Sequence, residues 1–173
     1  GPSLVPPTIG FVFDREFRRE KDIEDIIRAS KGLASFLELP TLENFLLDLE
    51  SVFGYFSDLI KNECEEEAER SKFDAWIAKN ALKKKYFPKG SLPKEVGNEV
   101  WTSTIHAPSF LYDLLWSLSG NTIEYRKKLH SEGLTLWILK RNKPHLASLN
   151  DFLVDKLHLE NPVRQLEPGR GTK

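Results

Sequence analysis

The sequence has one cysteine, Cys64, and no methionine. A lone cysteine forms no internal disulfide, so the fold must be held by a packed core, and a reducing, intracellular compartment (cytoplasm or nucleus) is expected. No Asn-x-Ser/Thr acceptor occurs, which agrees with that address. No apolar run approaches the ~18 residues that cross a bilayer, so no membrane span is expected, and no signal-peptide pattern is present. An excess of one charge is also missing. The 25 Lys and Arg against 26 Asp and Glu give a formal net charge of −1. Nothing global therefore draws the chain to nucleic acid or an anionic membrane, and any such binding needs a local patch. Without a methionine the chain opens Gly1-Pro2-Ser3. Gly1-Pro2 reads as the remnant of a cleaved expression tag, and the chain as a domain excised from a larger protein.

The motifs of common chemistries are missing as well. His106, His130, His145 and His158 are dispersed, with no His-x-x-x-His or Cys-x-x-Cys pair, so no metal site is expected. No Gly-x-Gly-x-x-Gly, no Gly-x4-Gly-Lys-Ser/Thr and no Gly-x-Ser-x-Gly occurs. Cys64 sits amid Glu63, Glu65, Glu66, Glu67 and Glu69, an acidic setting that makes a poor nucleophile. That glutamate run reads as a solvated face, or as a partner for the lysines at 83 to 85 if the chain doubles back. No catalytic residue and no cofactor are expected, and an enzyme remains only as an alternative whose site the sequence does not display.

What is present is helical patterning. Hydrophobic residues make up 40% and charged residues 29% of the 173 positions, proportions of an ordinary globular domain. The predicted fold is all-α, an irregular bundle of about seven helices. Residues 1–10 are assigned to tag remnant and an extended, proline-bearing arm, 11–161 to a single helical domain, and 162–173 to a flexible tail. The first helix is predicted over about Asp14 to Ser30, ended by Lys31-Gly32, with a short helical turn at Leu33, Phe36 and Leu37. Thr41 is placed to cap one long helix whose stripe runs Leu42, Phe45, Leu46, Leu49, Val52, Phe53, Phe56, Leu59 and Ile60. A new helix is predicted from Ser71, closed by Lys83–Gly90. Residues 87–108 are the least regular stretch. Pro108 starts a helix through Phe110, Leu111, Leu114, Leu115 and Leu118, ended by Gly120. Another is predicted from Asn121 to Gly133. Residues 134–139 fit strand or helix and are assigned to helix, because a lone strand leaves its backbone unpaired. Ser148 with Asp151 is placed to cap a last helix.

Two groups of residues stand out as candidates. Lys83, Lys84, Lys85, Tyr86 and Lys89, with Phe87, form one basic patch interleaved with aromatics, the pattern for contacting phosphates and stacking bases. Arg126-Lys127-Lys128 and Lys140-Arg141 with Lys143 extend it if they fall on the same side. Trp116 and Tyr55 lie off the helical stripes and Trp101 lies in the irregular segment, and large amphipathic rings of this kind anchor protein partners. The segment Lys85 to Val96 resembles one stretch of regulator-of-G-protein-signalling domains, which are also helical bundles. The glutamate- and tryptophan-bearing motif that precedes it in that family is missing at Asn44 to Asn62, so the family is not assigned. The function expected is a non-catalytic interaction or scaffolding domain, binding a peptide or helix or associating with itself through a helical groove. The alternative is nucleic-acid binding through Lys83–Lys89.

Overall fold

Residues 10–90 and 92–157 are described by a computed structural model. They form eight α-helices: α1 (Glu20–Ala29), α2 (Leu42–Phe45), α3 (Leu49–Cys64), α4 (Arg70–Asn80), α5 (Glu99–Thr104), α6 (Ala107–Leu118), α7 (Lys127–Arg141) and α8 (Ala147–Lys156). Short 3-10 turns occupy Lys84–Tyr86 and Lys143–Leu146. The helical class read from the sequence is the observed one. The expected tail at 162–173, His158 and most of the N-terminal arm lie outside the described residues.

Two strands add to the helices. β1 (Phe11–Phe13) pairs in parallel with β2 (Ala34–Phe36), in the register Phe11 to Ala34, Val12 to Ser35 and Phe13 to Phe36. Parallel strands need a long crossover, and α1 supplies it. The helical turn expected at 33–37 is therefore a strand, and the first helix begins at Glu20 rather than near Asp14. Residues 14–19 are held otherwise. The Arg15 Nε donates to the Leu37 carbonyl, and the Glu16 amide, at φ 51°, donates to the Pro40 carbonyl.

The long helix expected from Thr41 onward is two. α2 is a single turn, and Asp48 then takes an extended conformation at the start of α3. The Asp48 carboxylate accepts from Ser51 Oγ (2.5 Å) and from Asn142 Nδ2 (3.2 Å), tying the start of α3 to the end of α7. α3 stops at Cys64 because Glu65 adopts a left-handed conformation. The glutamate run is then a connector, and α4 begins at Arg70, one residue before the expected Ser71 cap region. In the opposite sense, the two helices expected on either side of Gly133 are one, α7, with Gly133 in its interior.

The core is continuous from Leu37 to Leu149. Phe110 stands at its centre, with the rings of Trp76, Tyr86 and Trp101 packed edge-on at 5.5, 5.6 and 5.3 Å between centroids. Val52, Phe56 and Ile60 of α3 meet Leu134 and Ile138 of α7 in the same buried cluster. Among the described residues, no helix is long and apolar enough to cross a membrane.

Candidate functional site

The short helix α2 and its N-cap residue carry three interior polar side chains. Thr41, Glu43 and Asn44 are all buried, and each is held by a specific partner. The Thr41 amide and hydroxyl both donate to Asn44 Oδ1, at 3.0 and 2.7 Å. The Asn44 amide nitrogen donates to the carbonyls of Thr102 (2.7 Å) and Ile105 (2.9 Å), satisfying the end of α5. From the N-terminal side, Asp14 Oδ1 accepts from the Leu42 amide at 2.9 Å, in the role of an N-terminal cap. These bonds fix the orientation of α2 and point Glu43 at α7.

Glu43 is fully buried, and its Oε1 accepts from Ser131 Oγ at 2.9 Å. Tyr125 OH lies 2.8 Å from the same Ser131 oxygen. Because the serine proton goes to the carboxylate, the phenol donates to the serine. Burial, and the nearby Glu43 charge, hold the Tyr125 phenol above its ordinary range. Glu43 Oε2 has no hydrogen-bond partner among the described residues. Its nearest cation is the Lys127 ammonium at 3.6 Å, which donates instead to Asp14 Oδ2 at 2.8 Å. Burial works against the Lys127 charge, yet the bond to Asp14 and the charges of Glu43 and Asp14 outweigh it and raise its pKa. One ammonium thus serves two carboxylates.

Above Glu43 opens a groove of about 340 Å³ between α2 and α7, walled by Leu42, Thr135 and Leu136, with Lys127, Lys128 and Glu132 at its rim. A second groove of about 410 Å³ lies further along α7, against α8, lined by Leu139, Pro144, Leu146 and Ala147. Leu136 closes the first groove and Leu139 opens the second, less than one helical turn apart. With Leu129, these leucines form a row on the outer side of α7, 49%, 49% and 42% exposed in chain order. The opposite side of the helix, carrying His130, Ser131, Leu134 and Ile138, is buried. Next to the Glu43 cluster, His130 accepts the Arg126 amide on Nδ1 at 2.8 Å, so its proton sits on Nε2, which is buried without a partner among the described residues.

The residues singled out from the sequence do not converge. Trp101 is fully buried and its indole donates to the Ala81 carbonyl at 2.9 Å. It is a core residue and presents no surface to a partner, which corrects that expectation. Tyr55 is half-buried between α3 and α7, with its ring against Gly133. Trp116 is half-buried on α6. None of the three lines either groove. In the basic patch, Lys83, Lys84 and Lys89 are exposed, while Lys85 pairs with Asp113 at 2.7 Å. Tyr86 is buried, with its hydroxyl donating to the same carboxylate at 2.7 Å, and so offers no ring for stacking. Lys127 does come round to the Lys85 side, where both line a cavity of about 440 Å³. The glutamate run pairs with Lys61 and Lys72, not with the lysines at 83 to 85.

Sequence reasoning missed Glu43, Ser131 and Tyr125, and gave Lys127 only a place in the extended basic patch. A signal existed for α7: His130 and Ser131 fall at helical spacing from Leu134 and Ile138, so two polar residues occupy an apolar face. Comparison with protein-family models, with curated proteins and with solved structures finds no match to this chain.

Proposed function

We propose that this chain is a protein-interaction domain whose outer α7 face receives a peptide or helix of another protein. The observation that carries this reading is that α7 buries one side in the core and still exposes leucines on the opposite side. One side is consumed by the core. The other displays Leu129, Leu136 and Leu139 beside two apolar grooves. A helix apolar all round is ordinarily buried on all sides, and isolated exposed leucines are unremarkable, but a row flanked by grooves matches the seat of an amphipathic helix.

The test is a displayed library of amphipathic peptides selected against the chain, with Leu136→Asp/Leu139→Asp as the comparison. Selected peptides are expected to shift amide resonances along α7 and to bind the double variant at least about tenfold more weakly, ~1.4 kcal/mol. The melting curve of the variant should stay near that of the parent, since both side chains are half in solvent. Equal binding to parent and variant overturns the proposal. So does a chain that dimerises in sedimentation while the double variant stays monomeric, because the occupant is then a second copy.

A further inference from the structure

We propose that the cleft between α4 and α6 docks a short acidic segment of a partner protein, its carboxylates held by Lys72, Lys79 and Lys83. The inference goes beyond the docking reading on α7, whose grooves share no lining residue with this cleft.

Lys72, Trp76, Lys79 and Lys83 follow one another at steps of four, three and four residues, so they share one face of α4 and the turn that extends it. Ser117 and Leu118, at the end of α6, close a cleft of about 480 Å³ against that face. The lining carries three cations and no carboxylate. Just outside it, Glu69 pairs with Lys72 at 2.7 Å. Asp74 on α4 is taken by Arg70, and Asp113 on α6 by Lys85. Among the described residues, no carboxylate lies within ion-pair distance of Lys79 or Lys83. Two positive charges of the cleft are therefore unbalanced. The fold does not explain them. Lys79 in the last turn of α4 complements the helix dipole, but Lys72 in the first turn opposes it. Neither helix end needs an ammonium as a cap. The Ile77 and Asn80 carbonyls accept the amides of Ala81 and Lys83, and the Leu115 and Trp116 carbonyls accept those of Ser119 and Asn121.

Three features fix the kind of anion. First, no arginine lines the cleft. Lysine ammoniums are point charges without the planar fork that grips a phosphate, and they suit carboxylates. Second, Trp76 and Leu118 set apolar surface between the cations. Trp76 is half-buried, edge-on to Phe110, and its Nε1 has no acceptor among the described residues. A guest with an apolar side chain between acids uses both the ring and its donor. Third, the connector before Lys72 carries Glu65, Glu66, Glu67 and Glu69. These charges repel a continuous polyanion such as nucleic acid and limit the guest to a short one.

The probe is the acetylated, amidated peptide Asp-Glu-Leu-Phe-Glu-Asp, titrated into the full chain while the Trp76 indole and the Ala75 and Lys79 amide resonances are followed. Saturable shifts are expected, with affinity falling severalfold between about 50 and 200 mM salt. The same peptide with Asn and Gln in place of its acids is expected to give none. Lys79→Glu/Lys83→Glu should weaken binding at least about tenfold, whereas Lys84→Glu/Lys89→Glu, an equal change of net charge outside the cleft, should leave it within about twofold. All four side chains are exposed, so neither double variant disturbs the core. Absence of saturable shifts, an equal response to the neutral peptide, or an equal loss in both double variants overturns the inference. A single-stranded DNA hexamer that moves the same resonances and binds more tightly also overturns it, because the occupant is then nucleic acid. Loss of peptide binding in Leu136→Asp/Leu139→Asp assigns the peptide to α7 and removes this site while leaving the docking reading intact.

Discussion

The Tyr55 ring lies directly on the backbone of Gly133, so that a side-chain carbon at 133 would stand 2.6 Å from the ring's Cζ. The contact has a counterpart: Trp137 covers Gly54, where an added carbon would meet Cζ2 at 2.9 Å. Each of the two helices α3 and α7 thus carries an aromatic ring that rests on a glycine of the other. These glycines are required by close approach, not by an unusual φ. The exchange brings α7 near enough for its inner face to join the core while Leu129, Leu136 and Leu139 stay exposed on its outer face.

Gly133→Ala is therefore expected to destabilise the fold by about 1–3 kcal/mol, the usual cost of overpacking, even though alanine improves intrinsic helix propensity by ~1 kcal/mol. Urea denaturation measures the loss. Replacing Tyr55 by leucine in the same background should restore part of it, giving a coupling between the two positions in a double-mutant cycle. A Gly133→Ala chain more stable than the parent would contradict the contact.

Trp101 offers a second check. With no exposed surface, a hydrogen bond to Ala81 and an edge-on contact to Phe110, it is a core ring. Trp101→Ala should cost about 3–5 kcal/mol. Trp101→Phe keeps most of the volume but leaves the Ala81 carbonyl unpaired, and should cost less. Thermal unfolding of both, read by far-ultraviolet dichroism, separates a core role from a surface one, for which neither change would matter.

The helices that could be read from the sequence were those whose apolar stripe is complete within one turn-to-turn pattern. α6 follows Phe110, Leu111, Leu114, Leu115 and Leu118, and stops near Gly120, which has a positive φ of 62°. The run 134–139 is helix, as part of α7. What escaped depends on partners far along the chain. β1 and β2 are three residues each and exist only through pairing across α1. The break between α2 and α3 follows from Asp48 reaching Asn142. Gly133 has the composition of a helix stop, but its role is set by Tyr55 on another helix. Glu43 is hidden for the same reason. It lies between two members of an apolar stripe, and only the Asn44 clasp to α5 and the Ser131 hydroxyl of α7 make it an interior residue.

Asn44 tests that clasp. Its side chain joins α2 to the last carbonyls of α5 through two donated bonds, and accepts the Thr41 amide and hydroxyl. Asn44→Ala leaves buried groups on both elements unsatisfied, at roughly 1–3 kcal/mol for each group so stranded. The expected result is a loss of several kcal/mol in chemical denaturation, together with faster hydrogen exchange at the Leu42 and Glu43 amides. Asn44→Asp keeps the acceptor but not the donors. It should fall near alanine, because it sets a charge against two carbonyl oxygens.

His130 makes the stability of the chain depend on pH. Burial, and secondly the neighbouring Arg126 charge, push its pKa below the ordinary 6.5, while Glu63 opposes them weakly. The folded chain therefore holds the ring neutral at pH values where the unfolded chain has begun to protonate it. Below about 6.5 the unfolded state binds more protons than the folded state, so stability falls as pH falls. The His130 contribution is fully present above 6.5, and its loss levels off once pH passes the lowered folded value. Protonation also removes the Nδ1 lone pair that accepts the Arg126 amide, loosening the first turn of α7. Denaturation midpoints measured from pH 7.5 down to 5.0 should decline, and the decline should flatten in His130→Gln, whose side chain does not titrate. Since Arg126 and Lys127 open α7 beside the Glu43 groove, resonances of the groove should broaden over the same pH range. An unchanged slope in His130→Gln would assign the decline to other groups.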